Sequence, residues 1–337
     1  MYLINICNLK KSSKILFLIT LLSGCLIIIN GCKDNTDIAD SNIIETNELK
    51  NEDYGPIYNE DGTIELGLGY TAFGFYDMKT GDIIDNRSLY IPKDNKITGT
   101  VSFQQNLEGE YNYLLLTMVD YVQQSFKINS KEYKNYYFTL SGEAEININI
   151  EIEIPYKNAK EFTYFIVPEP DLNNFLNDGS FDWDVMLNTR ESYIYRISLQ
   201  ENYESMVDNF DTNFEIIKEP TALSGFELTK SHKDIIPVVD AKSGEDLELV
   251  FLNENAVEET YVLIAFLGWE QIEFEDGNKN KMVKVPENSS IYYTLKLSDS
   301  LNEQVFQVFA LNKPYVTLQE EDIHINKSIF RVLLHDN

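Results

Sequence analysis

A chain of 337 residues with 43% hydrophobic and 24% charged residues has material for two ordinary cores, since single domains cluster at roughly 100–150 residues. Its 27 Lys+Arg against 55 Asp+Glu leave a formal net charge of −28, which argues against nucleic acid as a partner and for an acidic, solvated surface. All three cysteines, Cys7, Cys25 and Cys32, fall in the first 32 residues, so the rest of the chain has no disulfide, thiol nucleophile or thiolate metal ligand.

In chain order, Lys10, Lys11 and Lys14 precede ILFLITLLSGCLIII at residues 15–29. That apolar run is shorter than the roughly 18–20 residues of a spanning helix; basic residues followed by such a run are the order of a secretion signal. Within it, LSGC (Leu22, Ser23, Gly24, Cys25) resembles the lipobox of bacterial lipoproteins. The resemblance implies a signal peptide over 1–24, removed by cleavage, and diacylation of Cys25. The anchor's partner is then the lipid bilayer, at the outer face of the bacterial cytoplasmic membrane, leaving the protein on the cell surface. Two acyl chains hold stably where one is marginal. INGC at residues 29–32 offers Cys32 as the alternative: Asn30 departs from the small or apolar residue expected there, yet the following KDNTDIADSN has the character of a mature tether. Residues 33–55 are polar and poor in aromatics, and 25–55 as a whole is read as a lipidated flexible tether.

From residue 56 onward, β-branched and aromatic residues alternate with polar ones, and NEDGT, KTGD, EDGN and PENSS supply turns. Only PDLNNFL and ENYESMVDNF suggest short helices. A repeat organises the strands. Residues 101–126 align with 249–274, placing Phe103 on Phe251, Tyr113 on Tyr261, Leu115 on Leu263, Tyr121 on Trp269, Gln123 on Gln271 and Phe126 on Phe274. Further on, Phe162 meets Phe306, Pro170 meets Pro314 and Arg196 meets Arg331. The expected fold is all-β, with two tandem antiparallel β-sandwich domains of immunoglobulin-like size at 56–202 and 203–337, the second a repeat of the first. The Cys…Trp…Cys hallmark of true immunoglobulin domains is missing. Residues 171–191 are extra in the first copy.

EAEININIEIEI at residues 143–154 sets an Ile face against an Asn/Glu face, the pattern of a strand with one side on the core and one in water. Tyr121 and Trp269, where an apolar face turns polar, are candidate ligand-binding residues together with Trp183, as an aromatic platform for sugar rings. Asp178, Asp182 and Asp184 could offer oxygens to calcium, but their spacing matches no EF-hand, and no metal or other cofactor is implied. The three histidines, His232, His324 and His335, are scattered, and nucleophile-elbow, P-loop and dinucleotide motifs are missing, so no enzyme is expected. Two functions follow: a membrane-anchored interaction or structural module facing an envelope protein, or a carbohydrate-binding module that uses exposed Tyr and Trp to capture glycan.

Overall fold

The computed structural model describes residues 71–171, 176–177, 180–181, 192–200, 210–211, 214–217, 226–229, 240–242, 246–253, 256–274, 276–296, 304–315, 326–329 and 331–335. Cys25, Cys32, the tether, the 202/203 boundary, Trp183, Asp178, Asp182 and Asp184 lie outside them. Every described element is a strand, and the fold is all-β with antiparallel sheets. Most of the two segments read as short helices also lies outside the described residues, and Leu176 of the first sits in a strand.

The first region runs β1 (Thr71–Asp77), β2 (Lys96–Val119), β3 (Val122–Gln124), β4 (Phe126–Ile128), β5 (Lys131–Tyr133), β6 (Asn135–Glu153), β7 (Glu161–Pro168), β8 (Leu176–Asn177), β9 (Ser180–Phe181) and β10 (Tyr193–Ser198). Its main sheet has the order β10-β7-β2-β6-β4-β5, with β1 and β3 also paired to β2. β2 and β6 are long because each serves two halves of the sheet. Their register shifts between Asn106 and Glu110, where Gly109 takes φ +111°, a conformation that disfavours any side chain. Before that bulge β2 pairs with β1, and after it with β7. Both halves feed one core, in which Val101, Phe103 and Ile146–Ile152 alternates meet Tyr113, Leu115, Phe162 and Tyr164.

The Ile/Asn-Glu alternation of β6 has a direct structural cause. Ile146, Ile148, Ile150 and Ile152 are buried. The opposite row bonds sideways to β2: Thr100 donates to Asn149 at 2.7 Å, Ser102 to Glu145 at 3.2 Å and Lys96 to Glu151 at 2.8 Å. Cross-strand polar pairs of this kind stabilise a solvated sheet face.

The second region runs β11 (Glu215–Ile217), β12 (Phe226–Thr229), β13 (Asp240–Lys242), β14 (Asp246–Asn253), β15 (Glu259–Leu267), β16 (Glu270–Gln271), β17 (Asn280–Val285), β18 (Ser289–Lys296), β19 (Gln304–Asn312), β20 (Lys327–Ser328) and β21 (Val332–His335). Two sheets form, β11-β18-β14-β12 and β13-β21-β19-β15-β16, the second also carrying β17 and β20. Among the described strands, β13 and β21 alone pair in parallel. Residues of both sheets share a second core, including Phe251, Tyr261, Leu263, Phe306 and Ile291.

Register by register, the two regions use the same pairings. Phe103 faces Ile146 as Phe251 faces Ile291. Tyr113 faces Phe138 as Tyr261 faces Val283. Val119 faces Phe162 as Leu267 faces Phe306. A third core then joins the regions, with Leu114, Leu116, Met118, Phe165 and Val167 packed with Val262, Ile264, Phe266, Phe309 and Leu311. The end of β2 from Tyr113 to Val119, with β7, β15 and β19, is therefore buried on both faces, which explains runs such as YLLLTMV and YVLIAFL that lack strict alternation.

Candidate functional site

The junction between the regions gathers the aromatic, charged and amide residues that the repeat alignment singles out. Val119 pairs with Val122 around the two-residue turn Asp120-Tyr121, and Leu267 pairs with Glu270 around Gly268-Trp269. All four turn residues have positive φ: 48° and 64° in the first turn, 54° and 64° in the second. Such values mark the turn type that suits the twist of a hairpin, and they are costly for a bulky side chain unless its surroundings hold it.

The surroundings do so at both turns. Tyr121 is 0% and Trp269 3% exposed, and both belong to the junction core. Trp269 Nε1 donates to the Pro170 carbonyl at 2.9 Å. Tyr121 Oη donates to Glu161 Oε2 at 2.8 Å and accepts from the Tyr315 N–H at 3.0 Å. These positions correct the aromatic-platform expectation: a sugar ring has no access to either ring, because each fills the seam between two double-covered sheets. The residues stand not in strands, as the alternation suggests, but in the turns that close them.

Around Tyr121 sits a buried ion pair. Arg196 donates through Nε to Glu161 Oε1 at 2.6 Å and through Nη2 to Glu161 Oε2 at 2.9 Å, a bidentate geometry. Its Nη1 also reaches across to the Asn312 carbonyl, and its Nη2 to the Lys313 carbonyl at 3.2 Å. Arg87 Nη2 donates to the same Asn312 carbonyl at 2.7 Å. Burial opposes the charge on Arg196, but Glu161 and Tyr121 more than offset it and hold the guanidinium above its ordinary value. Burial likewise opposes ionisation of Glu161, yet Arg196 keeps its carboxyl below the usual range. Burial pushes the Tyr121 phenol far up, so it stays a donor.

The aligned position repeats the reach in the opposite direction. Arg331 Nη1 donates to the Glu169 carbonyl, and its guanidinium lies 5.5 Å from the Trp269 ring centroid, as that of Arg196 lies 5.9 Å from the Tyr121 ring. Between the turns, Gln123 and Gln271 exchange bonds reciprocally: the N–H of each donates to the side-chain oxygen of the other, at 2.8 and 2.9 Å. Gln123 Nε2 then donates to the Trp269 carbonyl at 3.0 Å, and Gln271 Nε2 to the Tyr121 carbonyl at 2.7 Å. Phe165 meets Phe309 with ring centroids 5.0 Å apart.

Sequence reasoning paired Tyr121 with Trp269, Gln123 with Gln271 and Arg196 with Arg331 but did not foresee that the members of each pair meet at one seam. Glu161 and Tyr315 were missed entirely; a lone Glu opening the apolar run EFTYFIVP was the available signal. Among the described residues, no group of three or more His, Cys, Asp or Glu is placed to hold a metal ion.

No family model and no curated protein matches the sequence. Among solved structures, the chain is similar to the E. coli chaperone DraB at 9% identity, over 80% of this chain and 97% of that one, with a TM-score of 0.23. It is similar to BspA_C_mut at 9% identity over 79% and 98% of the two chains, TM-score 0.20. Red sea bream transglutaminase follows at 6% identity over 79% and 31%, TM-score 0.21. Likenesses at these scores carry no argument about what this chain does.

Proposed function

We propose that this chain is a membrane-anchored, surface-exposed bacterial lipoprotein. Its folded part consists of two tandem immunoglobulin-like β-sandwiches, 56–202 and 203–337, that arose by duplication and act together as an interaction or structural module without catalysis of their own. The observation that carries this reading is the reciprocal seam: residues aligned by the repeat make the same contacts in both directions, as in an isologous interface. A seam with its own apolar core and three buried guanidiniums holds the sandwiches as one body, which suits a presenting or spacing role better than a hinged capture device. Burial of Tyr121 and Trp269 removes two of the three aromatic residues on which glycan capture rested.

The anchor is tested by growing cells with an alkyne-tagged palmitate. The full chain should take up label and fractionate with membranes, and Cys25→Ala should lose both while Cys32→Ala keeps them; the reverse pattern assigns Cys32, and no label in either case refutes lipidation. The function is tested by immobilising residues 33–337 and washing with solubilised envelope split into protein and glycan fractions. Selective retention of one envelope protein supports the interaction module. Retention of glycan alone would overturn it.

A further inference from the structure

Among the described residues, Lys281, on β17, is unlike the other paired lysines. Its side chain is 5% exposed, and its Nζ lies 2.5 Å from Asp211 Oδ2 and 2.5 Å from Asp276 Oδ2. The lysines paired to Glu151, Glu153, Glu270 and Glu258 are 38% to 46% exposed. Two rings enclose the Lys281 nitrogen, Phe274 at 5.9 Å and Tyr293 at 5.7 Å from their centroids, and both are buried. Asp211 is held too: its side chain is 12% exposed, and its N–H donates to the Met282 carbonyl at 2.7 Å, fixing it against β17. A confined amine, a confined carboxyl, a second and more exposed carboxylate touching the amine, and two buried rings beside it are the components of a condensation site.

We propose that Lys281 and Asp211 become joined after folding by an intramolecular amide bond, with Asp276 carrying the proton. For the reaction, Lys281 passes one ammonium proton to Asp211 across the 2.5 Å contact, giving an amine nucleophile beside a carboxyl with a hydroxyl leaving group. The Nζ lone pair attacks Asp211 Cγ and the C–N bond forms. Asp276 takes a second proton from Nζ and delivers it to the departing hydroxyl as the C–O bond breaks. One water leaves, the amide keeps one N–H, and Asp276 ends as the carboxylate it began. Neither oxidant nor added cofactor is required. The bond would close a loop between positions 70 residues apart, constraining the unfolded chain as a disulfide does in a protein with no cysteine after residue 32.

The test is mass spectrometry of the full chain, denatured and digested with trypsin. The expected product is a branched peptide joining the Lys281 and Asp211 segments, lighter than its two components by one water, with no cleavage after Lys281. Lys281→Arg retains the buried charge and so the fold, checked by circular dichroism, but should yield no branch. Asp276→Ala should leave most molecules unjoined, and a fully joined Asp276→Ala would overturn its role as proton carrier. Free Lys281 and free Asp211 peptides from folded wild-type protein would overturn the proposal as a whole.

Discussion

Arg196 and Arg331 stand at aligned positions of the two regions, each fully buried and each donating to a main-chain carbonyl of the other region, yet their own surroundings differ. In the first region the guanidinium is bound by Glu161 and lies over Tyr121; in the second the aligned strand position is Val305 and the ring is Trp269. What stays constant is the arginine-to-carbonyl reach across the seam, with an aromatic ring beside each guanidinium. Burial pushes the Arg331 guanidinium down, with Glu169 supporting the charge, whereas Glu161 outweighs burial at Arg196. The junction therefore places a guanidinium donor from each region against a carbonyl of the other.

The sharpest way to break this comparison is to remove the carboxylate. Glu161→Ala leaves Arg196 buried without its bidentate partner and should cost about 3–5 kcal/mol in urea unfolding of the full chain. Adding the second region's ring should return part of that loss, so that Tyr121→Trp/Glu161→Val unfolds at higher urea than Glu161→Val. No recovery would mean that the two arginines are not interchangeable designs. The sign of the pH effect follows from the lowered carboxyl of Glu161: its contribution is complete above the ordinary carboxylate pKa and is lost as pH falls through the depressed one in the folded state. Glu161→Gln should flatten the decline of stability in acid, measured as the urea midpoint between pH 5 and pH 2.

The alternation in residues 143–154 made the strand and its buried Ile face legible, because one face meets the core and the other meets water. Legibility failed at β15 and β19, whose second faces are covered by the other region; continuous apolar runs carry no period to read. Tyr121 and Trp269 were misplaced for a related reason. A turn of two residues with positive φ is normally announced by Asn-Gly, Asp-Gly or Gly-Gly; Asp120 and Gly268 fit the first position, but Tyr121 and Trp269 stand where glycine is expected at the second. The partnership of Glu161 with Arg196, 35 positions apart, is a property of strand neighbours that no local pattern encodes. The repeat alignment named the residues of the seam without saying that they touch.

Core packing offers a second, smaller contrast. In the first region Gly99 lies under Phe75: a Cβ there would be 2.1 Å from the ring. At the aligned position of the second region stands buried Leu247, and Leu228 replaces the phenylalanine. One region fills the space with a large and an absent side chain, the other with two of middle size. Gly99→Ala should therefore destabilise by about 1–3 kcal/mol through overpacking. Phe75→Leu/Gly99→Ala should be more stable than the sum of the two single changes predicts, and additivity in a double-mutant cycle would refute the shared space.

The smallest effect concerns the glutamines, where the regions are alike rather than different. Gln123 accepts from the Gln271 N–H and donates to the Trp269 carbonyl, while Gln271 accepts from the Gln123 N–H and donates to the Tyr121 carbonyl. Truncating either to Ala removes one acceptor and one donor, a loss of about 1–2 kcal/mol. Because each side chain serves the other's backbone rather than the other's amide, the two bonds pairs are separate, and Gln123→Ala/Gln271→Ala should cost close to the sum of the single changes. Equal single costs would support a seam whose two sides are energetically matched. A Gln123 loss several times the Gln271 loss would show that the other bond of Gln123, to Asn135 at 3.0 Å, and not the reciprocal arrangement, carries the stabilisation at this point.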